Sequence, residues 1–207
     1  MNTHPTAPRP PFLGEGLSRA FNLARRLHDG QPRKGTAIPY LAHPMAVCAL
    51  ALGFGATEDQ AIAALLHDTA EDGGGEGILK DIAANFGAPV AAIVRACSDS
   101  LTVDSTQKAP WRPRKEAYLA HLATADRSVR LVAAADKLHN MTCTVDDLRT
   151  QGPAFWARFK TGPAEQSWFY GECVRILTAE DAEPWSEPLR RAFADLQGSL
   201  SGSAPAR

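Results

Sequence analysis

Apolar residues recur at helical spacing along almost the whole chain, and no stretch alternates in the way a half-buried strand must. That restricts the fold to packed helices. Leu17, Ala20, Phe21, Ala24 and Leu27 form one face of a first helix, which stops near Asp29-Gly30. Pro44 suits the first turn of a second helix running to about Gly53, with His43 at or just before its start. Thr57-Glu58-Asp59-Gln60 reads as a capping box opening a third helix. Ile62, Leu65, Leu66 and Thr69 mark its inner face, His67 and Asp68 its C-terminal end, and Gly73-Gly74-Gly75 its break. Short helices are expected over 76–86 and 88–98, and further helices over 111–123, 128–149, 166–179 and 187–196. Phe155, Trp156 and Phe159 suggest an aromatic helix. The expected fold is all-α, a compact single-domain helical bundle over residues 14–197. A mobile proline-rich arm (1–13) and a flexible tail (198–207) flank it.

Composition narrows the function. The chain has 207 residues and a net charge of −1, without a long basic block, so a life on duplex nucleic acid is not expected. Nor is a membrane role: no apolar run is long enough to span a bilayer, and the N-terminus lacks the apolar core of a signal peptide. A cytoplasmic location is the expectation. Cys48, Cys97, Cys143 and Cys173 are widely spaced, mostly in apolar helical surroundings, and read as reduced thiols.

Chemistry concentrates in Leu65-Leu66-His67-Asp68-Thr69-Ala70-Glu71-Asp72. Adjacent imidazole and carboxylate groups can turn toward one metal ion. On a regular helix Glu71, at i+3 from Asp68 and i+4 from His67, would share their face. With His43 and Asp136, two imidazoles and two carboxylates suit a first-row divalent ion such as Mn²⁺ or Fe²⁺, with Zn²⁺ less favoured. A metal with a carboxylate beside it is equipment for splitting a phosphate ester with water. Each residue also has a plainer reading. His43 could be a core histidine, Asp136 a salt-bridged group, Glu71 and Asp72 exposed acids, and Arg33 and Lys34 a solvated pair. Lys137 could neutralise phosphate or pair with an acid. His28 and His139 read as structural.

The order His43…His67-Asp68…Asp136 resembles that of the HD-domain phosphohydrolases. The flanks sharpen the likeness: His28-Asp29-Gly30-Gln31-Pro32-Arg33-Lys34-Gly35, Pro39-Tyr40-Leu41-Ala42-His43-Pro44, His67-Asp68-Thr69-Ala70-Glu71-Asp72 and Ala135-Asp136-Lys137-Leu138-His139-Asn140-Met141. They are similar to the hydrolase domain of Rel/SpoT alarmone enzymes, and more so to the stand-alone small alarmone hydrolases. The resemblance implies manganese-dependent removal of the 3′-pyrophosphate of ppGpp and pppGpp. It makes His43, His67, Asp68 and Asp136 the metal ligands. Glu71 and Asp72 become the acidic pair that handles water and protons, and Asn140, Arg33 and Lys34 contacts to the nucleotide. The chain is too short for the synthetase and regulatory domains of Rel/SpoT enzymes, so hydrolysis alone is expected.

Three departures bear on the substrate. The segment from Arg33-Lys34 to Pro39 is one residue longer than the usual pattern. Lys137 stands where Rel/SpoT enzymes commonly have arginine, and Thr142-Cys143 where an arginine-threonine pair is usual. Another nucleotide phosphate, such as the 2′-phosphate of NADPH or a nucleoside monophosphate, is therefore the alternative substrate. A protein that only senses nucleotides would be marked by a missing ligand or acid, and none is missing. Oligomeric state has no signature in the sequence.

Overall fold

Nine α-helices form among the described residues of the computed structural model, which are 13–202 apart from 103, 105, 160 and 181. They are α1 (Glu15–Leu27), α2 (Ala42–Gly53), α3 (Glu58–Leu66), α4 (Gly75–Phe86), α5 (Ala88–Cys97), α6 (Trp111–Thr124), α7 (Arg127–Gln151), α8 (Pro163–Leu177) and α9 (Ser186–Gly202). No strand forms among these residues. One isolated antiparallel bridge joins Pro32 and Pro39. No described helix is long and apolar enough to cross a membrane. Most of the expected proline-rich arm lies outside the described residues.

The 25-residue α7 is the axis of the bundle. It packs against α2, α3, α5, α8 and α9, and residues on several of its sides are buried as a result: Leu131, Val132, Ala133, Ala134, Ala135 and Met141. Over Leu131–Lys137 the helix is enclosed by neighbours and has no solvent face to reserve for polar groups, which is why its apolar residues do not keep to one stripe there. Helix α3 is enclosed too. Its six consecutive residues Ala61–Leu66 are all buried, in contact with α1, α2, α5 and α7. The alanines let the neighbouring backbones come close, and Leu65 and Leu66 fill the remaining space.

Local chemistry fixes where α3 starts. The Thr57 N–H donates to Gln60 Oε1 at 2.8 Å, and the Gln60 N–H donates to Thr57 Oγ1 at 3.4 Å, the reciprocal pair of a capping box. Gln60 Nε2 also donates to Ser128 Oγ at 2.9 Å, tying the start of α3 to that of α7. One helix brings His67 and the other Asp136, so this junction sets their relative height.

Four boundaries differ from the sequence reading. Helix α3 ends at Leu66, before His67 and Asp68. Residues Ala70–Gly74 form a π-helical turn, in which the Gly74 N–H donates to Thr69 O, five residues back, at 3.2 Å. Glu71 therefore does not continue the α-helical register of His67 and Asp68. The three glycines do not end helical structure: Gly75, at φ +50°, passes the chain directly into α4. The aromatic segment is a 3₁₀ helix, Gly152–Arg158, with Phe159 just beyond it. At the other end α9 runs past Gly198 to Gly202, five residues into the expected tail. Leu27 is 43% exposed and does not join the inner face of α1.

Substituting Thr57→Ala removes one half of the cap. We expect a loss of about 1 kcal/mol, seen as a fall of roughly 2–4 °C in the thermal midpoint of unfolding.

Candidate active site

Three elements converge on one point. The N-terminal turn of α2 supplies His43, the turn after α3 supplies His67 and Asp68, and the middle of α7 supplies Asp136. His43 Nε2 lies 3.3 Å from Asp68 Oδ2 and 3.2 Å from Asp136 Oδ1. His67 Nε2 lies 3.1 Å and 3.6 Å from the same two oxygens. Donor atoms of His43, His67 and Asp68 all fall within 4.8 Å of one another. Both imidazoles are buried, at 2% exposure.

Hydrogen bonds set which way each ring faces. His67 Nδ1 donates to the Ala64 carbonyl at 2.9 Å, which leaves Nε2 as the atom aimed at the carboxylates. That Nε2 is buried and has no hydrogen-bond partner. His43 Nδ1 lies 2.8 Å from His139 Nδ1. Burial pushes the His139 imidazole down to about 4, so it is neutral. Its Nδ1 then accepts from His43 Nδ1–H, and its Nε2–H points to Cys143 Sγ at 3.6 Å. The lone pair of His43 Nε2 is thereby directed into the cluster.

The carboxylates are held ionised. Burial alone would raise Asp68, but His67 and His43 outweigh it and keep it well below the usual carboxylate range. Asp136 is kept low against burial by Lys137, with His43 and His67. Tyr40 Oη donates to Asp68 Oδ2 at 2.5 Å, Lys137 Nζ to Asp136 Oδ2 at 2.6 Å, and Asn140 Nδ2 to Asp136 Oδ1 at 2.5 Å. Burial would lower His67, yet Asp68 and Asp136 hold it well above its ordinary value. Two anionic oxygens facing two imidazole nitrogens call for a cation between them. His43, His67, Asp68 and Asp136 can hold a divalent metal, and the unpartnered His67 Nε2 fits that use.

The cluster opens into a cleft of about 270 Å³. Every residue that the sequence reading singled out for the site lines it except the buried His67, whose ring lies beneath Asp68. Glu71 and Asp72 reach it from the π-helical turn. Burial and the neighbouring charge of Asp99 push Glu71 up to about 7. Burial and Asp68 raise Asp72, whose Oδ2 accepts from Gln31 Nε2 at 3.3 Å. Arg33 and Lys34 come from the 31–40 loop, which folds on itself: the Arg33 N–H donates to Ile38 O at 2.8 Å and the Tyr40 N–H to Gln31 O at 2.7 Å. The extra residue of this loop does not take the pair away from the cleft. Arg33 Nη2 donates to Asn140 Oδ1 at 3.1 Å, continuing a chain through Asn140 to Asp136. Lys34 Nζ sits 4.9 Å from the Phe159 ring centroid. Lys137 is committed to Asp136 and is 9% exposed, the acid-pairing alternative.

Of the remaining cleft residues, the sequence marks Asp99 only as the start of the long polar loop 99–110, a candidate site edge, and gives no sign of the others. Asp99, Lys115 and Tyr118 close one wall, and Asp147, Phe155 and Arg158 another. Arg158 Nη1 donates to Lys34 O at 3.2 Å and pairs with Asp147 at 3.1 Å. Gly35, at φ +72°, lies against it, where a Cβ would come within 3.0 Å of Arg158 Nε. Only the packing of the 3₁₀ helix onto the 31–40 loop brings these residues in, and no spacing in the sequence signals it. Tyr40 was legible as a neighbour of His43 but not as a donor to Asp68.

Known proteins resemble this chain in sequence and in fold. The HD domain family description matches residues 20–160, which include every candidate ligand. The chain is a member of the HD-domain family. Its relatives include guanosine-3′,5′-bis(diphosphate) 3′-pyrophosphohydrolase MESH1 of Xenopus tropicalis, 33% identical over 144 residues, 68% of this chain and 74% of that protein. The bifunctional (p)ppGpp synthase/hydrolase SpoT of Escherichia coli is 32% identical over 139 residues, but these cover only 18% of its length. A solved structure described as a metazoan ortholog of SpoT that hydrolyses ppGpp superimposes with a TM-score of 0.71 at 23% identity, over 88% of this chain and 96% of that one. A protein from Listeria monocytogenes EGD-e gives 0.64 at 27% identity, over 78% and 99%. At these identities the first of the two structures bears on the fold alone.

Replacing His139 by alanine removes the partner of His43 Nδ1. We expect divalent-metal affinity to fall by about 10- to 100-fold, measured by calorimetric titration with Mn²⁺, with the helical circular dichroism unchanged.

Proposed function

We propose that this chain is a metal-dependent hydrolase that removes the 3′-pyrophosphate of (p)ppGpp, giving GDP or GTP and pyrophosphate. The observation that carries the reading is the convergence of four nitrogen and oxygen donors at the floor of a cleft lined by both acids and cations. The likeness to MESH1 over 74% of its length supports the substrate.

His43, His67, Asp68 and Asp136 are the proposed metal ligands, and Mn²⁺ is the proposed ion. When bound, such an ion supplies Lewis acidity toward a phosphoryl oxygen and toward water. Glu71 is the proposed general base. A carboxyl group raised to about 7 is poised to take a proton at neutral pH and to return it to a leaving oxygen. Asp72, beside it at the cleft edge, is proposed to keep the local field negative and to orient water. Arg33 and Lys34 are proposed to meet the nucleotide, the guanidinium stacking on a base or binding phosphate and the ammonium binding phosphate. Asn140 keeps Arg33 in place from the ligand side. Lys137 acts through Asp136, holding it ionised and oriented.

Metal-stripped protein given back Mn²⁺ should convert ppGpp to GDP and pyrophosphate, resolved by ion-exchange chromatography. His67→Ala and Asp68→Ala should lose both metal binding and turnover. Glu71→Ala should still bind Mn²⁺ while its rate falls by about 10²- to 10⁴-fold. Normal turnover by either ligand variant would refute the assignment. Turnover of NADPH or a nucleoside monophosphate but not ppGpp would keep the hydrolase and change its substrate.

A further inference from the structure

Glu71 occupies an unusual place for a residue that must aim one atom. It sits on a π-helical turn, where the hydrogen-bond ladder slips from four residues to five, and three glycines that have no side chains to brace it follow within four positions. The turn therefore does little to fix the direction of its side chain. The connection between α5 and α6 does it from outside. The Asp99 N–H donates to Glu71 Oε2 at 3.2 Å, and Lys108 Nζ donates to the Glu71 carbonyl at 3.2 Å. Glu71 is gripped by both its side chain and its backbone, from the two ends of one connection.

Asp99 is in turn immobilised. Its side chain is 2% exposed, and Arg114 Nη1 and Lys115 Nζ on α6 reach its two oxygens at 2.5 Å and 2.6 Å. Arg114 also donates to Ala109 O at 3.0 Å, and Lys115 Nζ lies 4.7 Å from the Phe169 centroid on α8. The clamp is thus anchored in two further elements. A buried carboxylate with two cations is a rigid object, and the amide of the same residue donates to Glu71.

We propose that Asp99, locked by Arg114 and Lys115, is the positioning residue that holds the Glu71 carboxyl in the cleft. The inference rests on Glu71 being the general base of the proposed reaction. Asp99 touches no reacting atom itself. It acts through Glu71, and the two should behave as one unit.

A double-mutant cycle tests this. Asp99→Asn keeps size but weakens the clamp. It should lower kcat by about 10-fold or more while leaving KM and Mn²⁺ affinity within about 2-fold. In a Glu71→Gln background the same substitution should cost less than about 2-fold, because the group it positions is already disabled. Asp99→Glu should recover part of the loss. Multiplicative losses across the cycle, a loss seen mainly in KM or metal binding, or a loss fully accounted for by a displaced pH–rate profile of kcat would overturn the proposal. Should Asp99→Asn fail to fold, Lys115→Met loosens the clamp from the other side and enters the same cycle. A second readout needs no substrate: amide exchange by NMR. The Asp99 amide should be protected in the wild type and exchange about 10-fold faster or more in Glu71→Ala. Unchanged exchange overturns the contact. A wild type that leaves ppGpp intact would instead defeat the proposed substrate, and the amide readout would still decide the clamp.

Discussion

Two carboxylates and two imidazoles are forced together within hydrogen-bonding distance beneath the surface of the bundle, and the rest of the structure is arranged to tolerate this. Asp68 and Asp136 would repel each other and resist burial if left alone. Each is surrounded by donors, Tyr40 for Asp68 and Lys137 with Asn140 for Asp136, and both face the rings of His43 and His67. Lys137 is itself buried, with Tyr118 and Phe169 rings about its ammonium at 5.0 Å and 5.5 Å. A charge can stay there because its partner is adjacent and its stem lies among apolar groups.

Holding four donors at one point requires rigid elements, and the bundle provides them. Helices α3 and α7 are enclosed by neighbours, so neither can rotate without disrupting close-packed side chains. The imidazoles are then aimed from behind, His67 by the Ala64 carbonyl and His43 by His139. The acid beyond the cluster is treated differently. The π-helical turn takes Glu71 out of the α-helical register and hands its orientation to a distant connection. The four-residue cluster and the acid beside it thus rest on separate supports, one in the core of the bundle and one in its periphery.

The cleft divides in the same way. Near the donor cluster its walls carry paired and buried charges. Farther out, Arg33, Lys34 and Arg158 gather beside Phe155 and Phe159. A planar base and an anionic phosphate group could both find partners along that axis.

Much of this was legible in the sequence. Helix periodicity, the capping box at Thr57 and the Gly87-Ala88-Pro89 break placed most elements within a few residues. The four donors stood out because His67-Asp68 is contiguous and Asp136 and Asn140 are one helical turn apart. The π-helical turn did not stand out, since a glycine run reads as a stop and a one-residue slip of the ladder leaves no compositional trace. Lys115, Tyr118, Asp147 and Arg158 were also invisible, because only the packing of distant segments brings them to the cleft, and Asp99 was legible only as the start of a polar loop at a candidate site edge. The sequence by itself determined the helical class and singled out the four residues that meet at the cluster, because both are written in local spacing. The tertiary structure alone decided which nitrogen each histidine presents, which acid is clamped and what walls the cleft, because those depend on contacts between residues far apart in the chain.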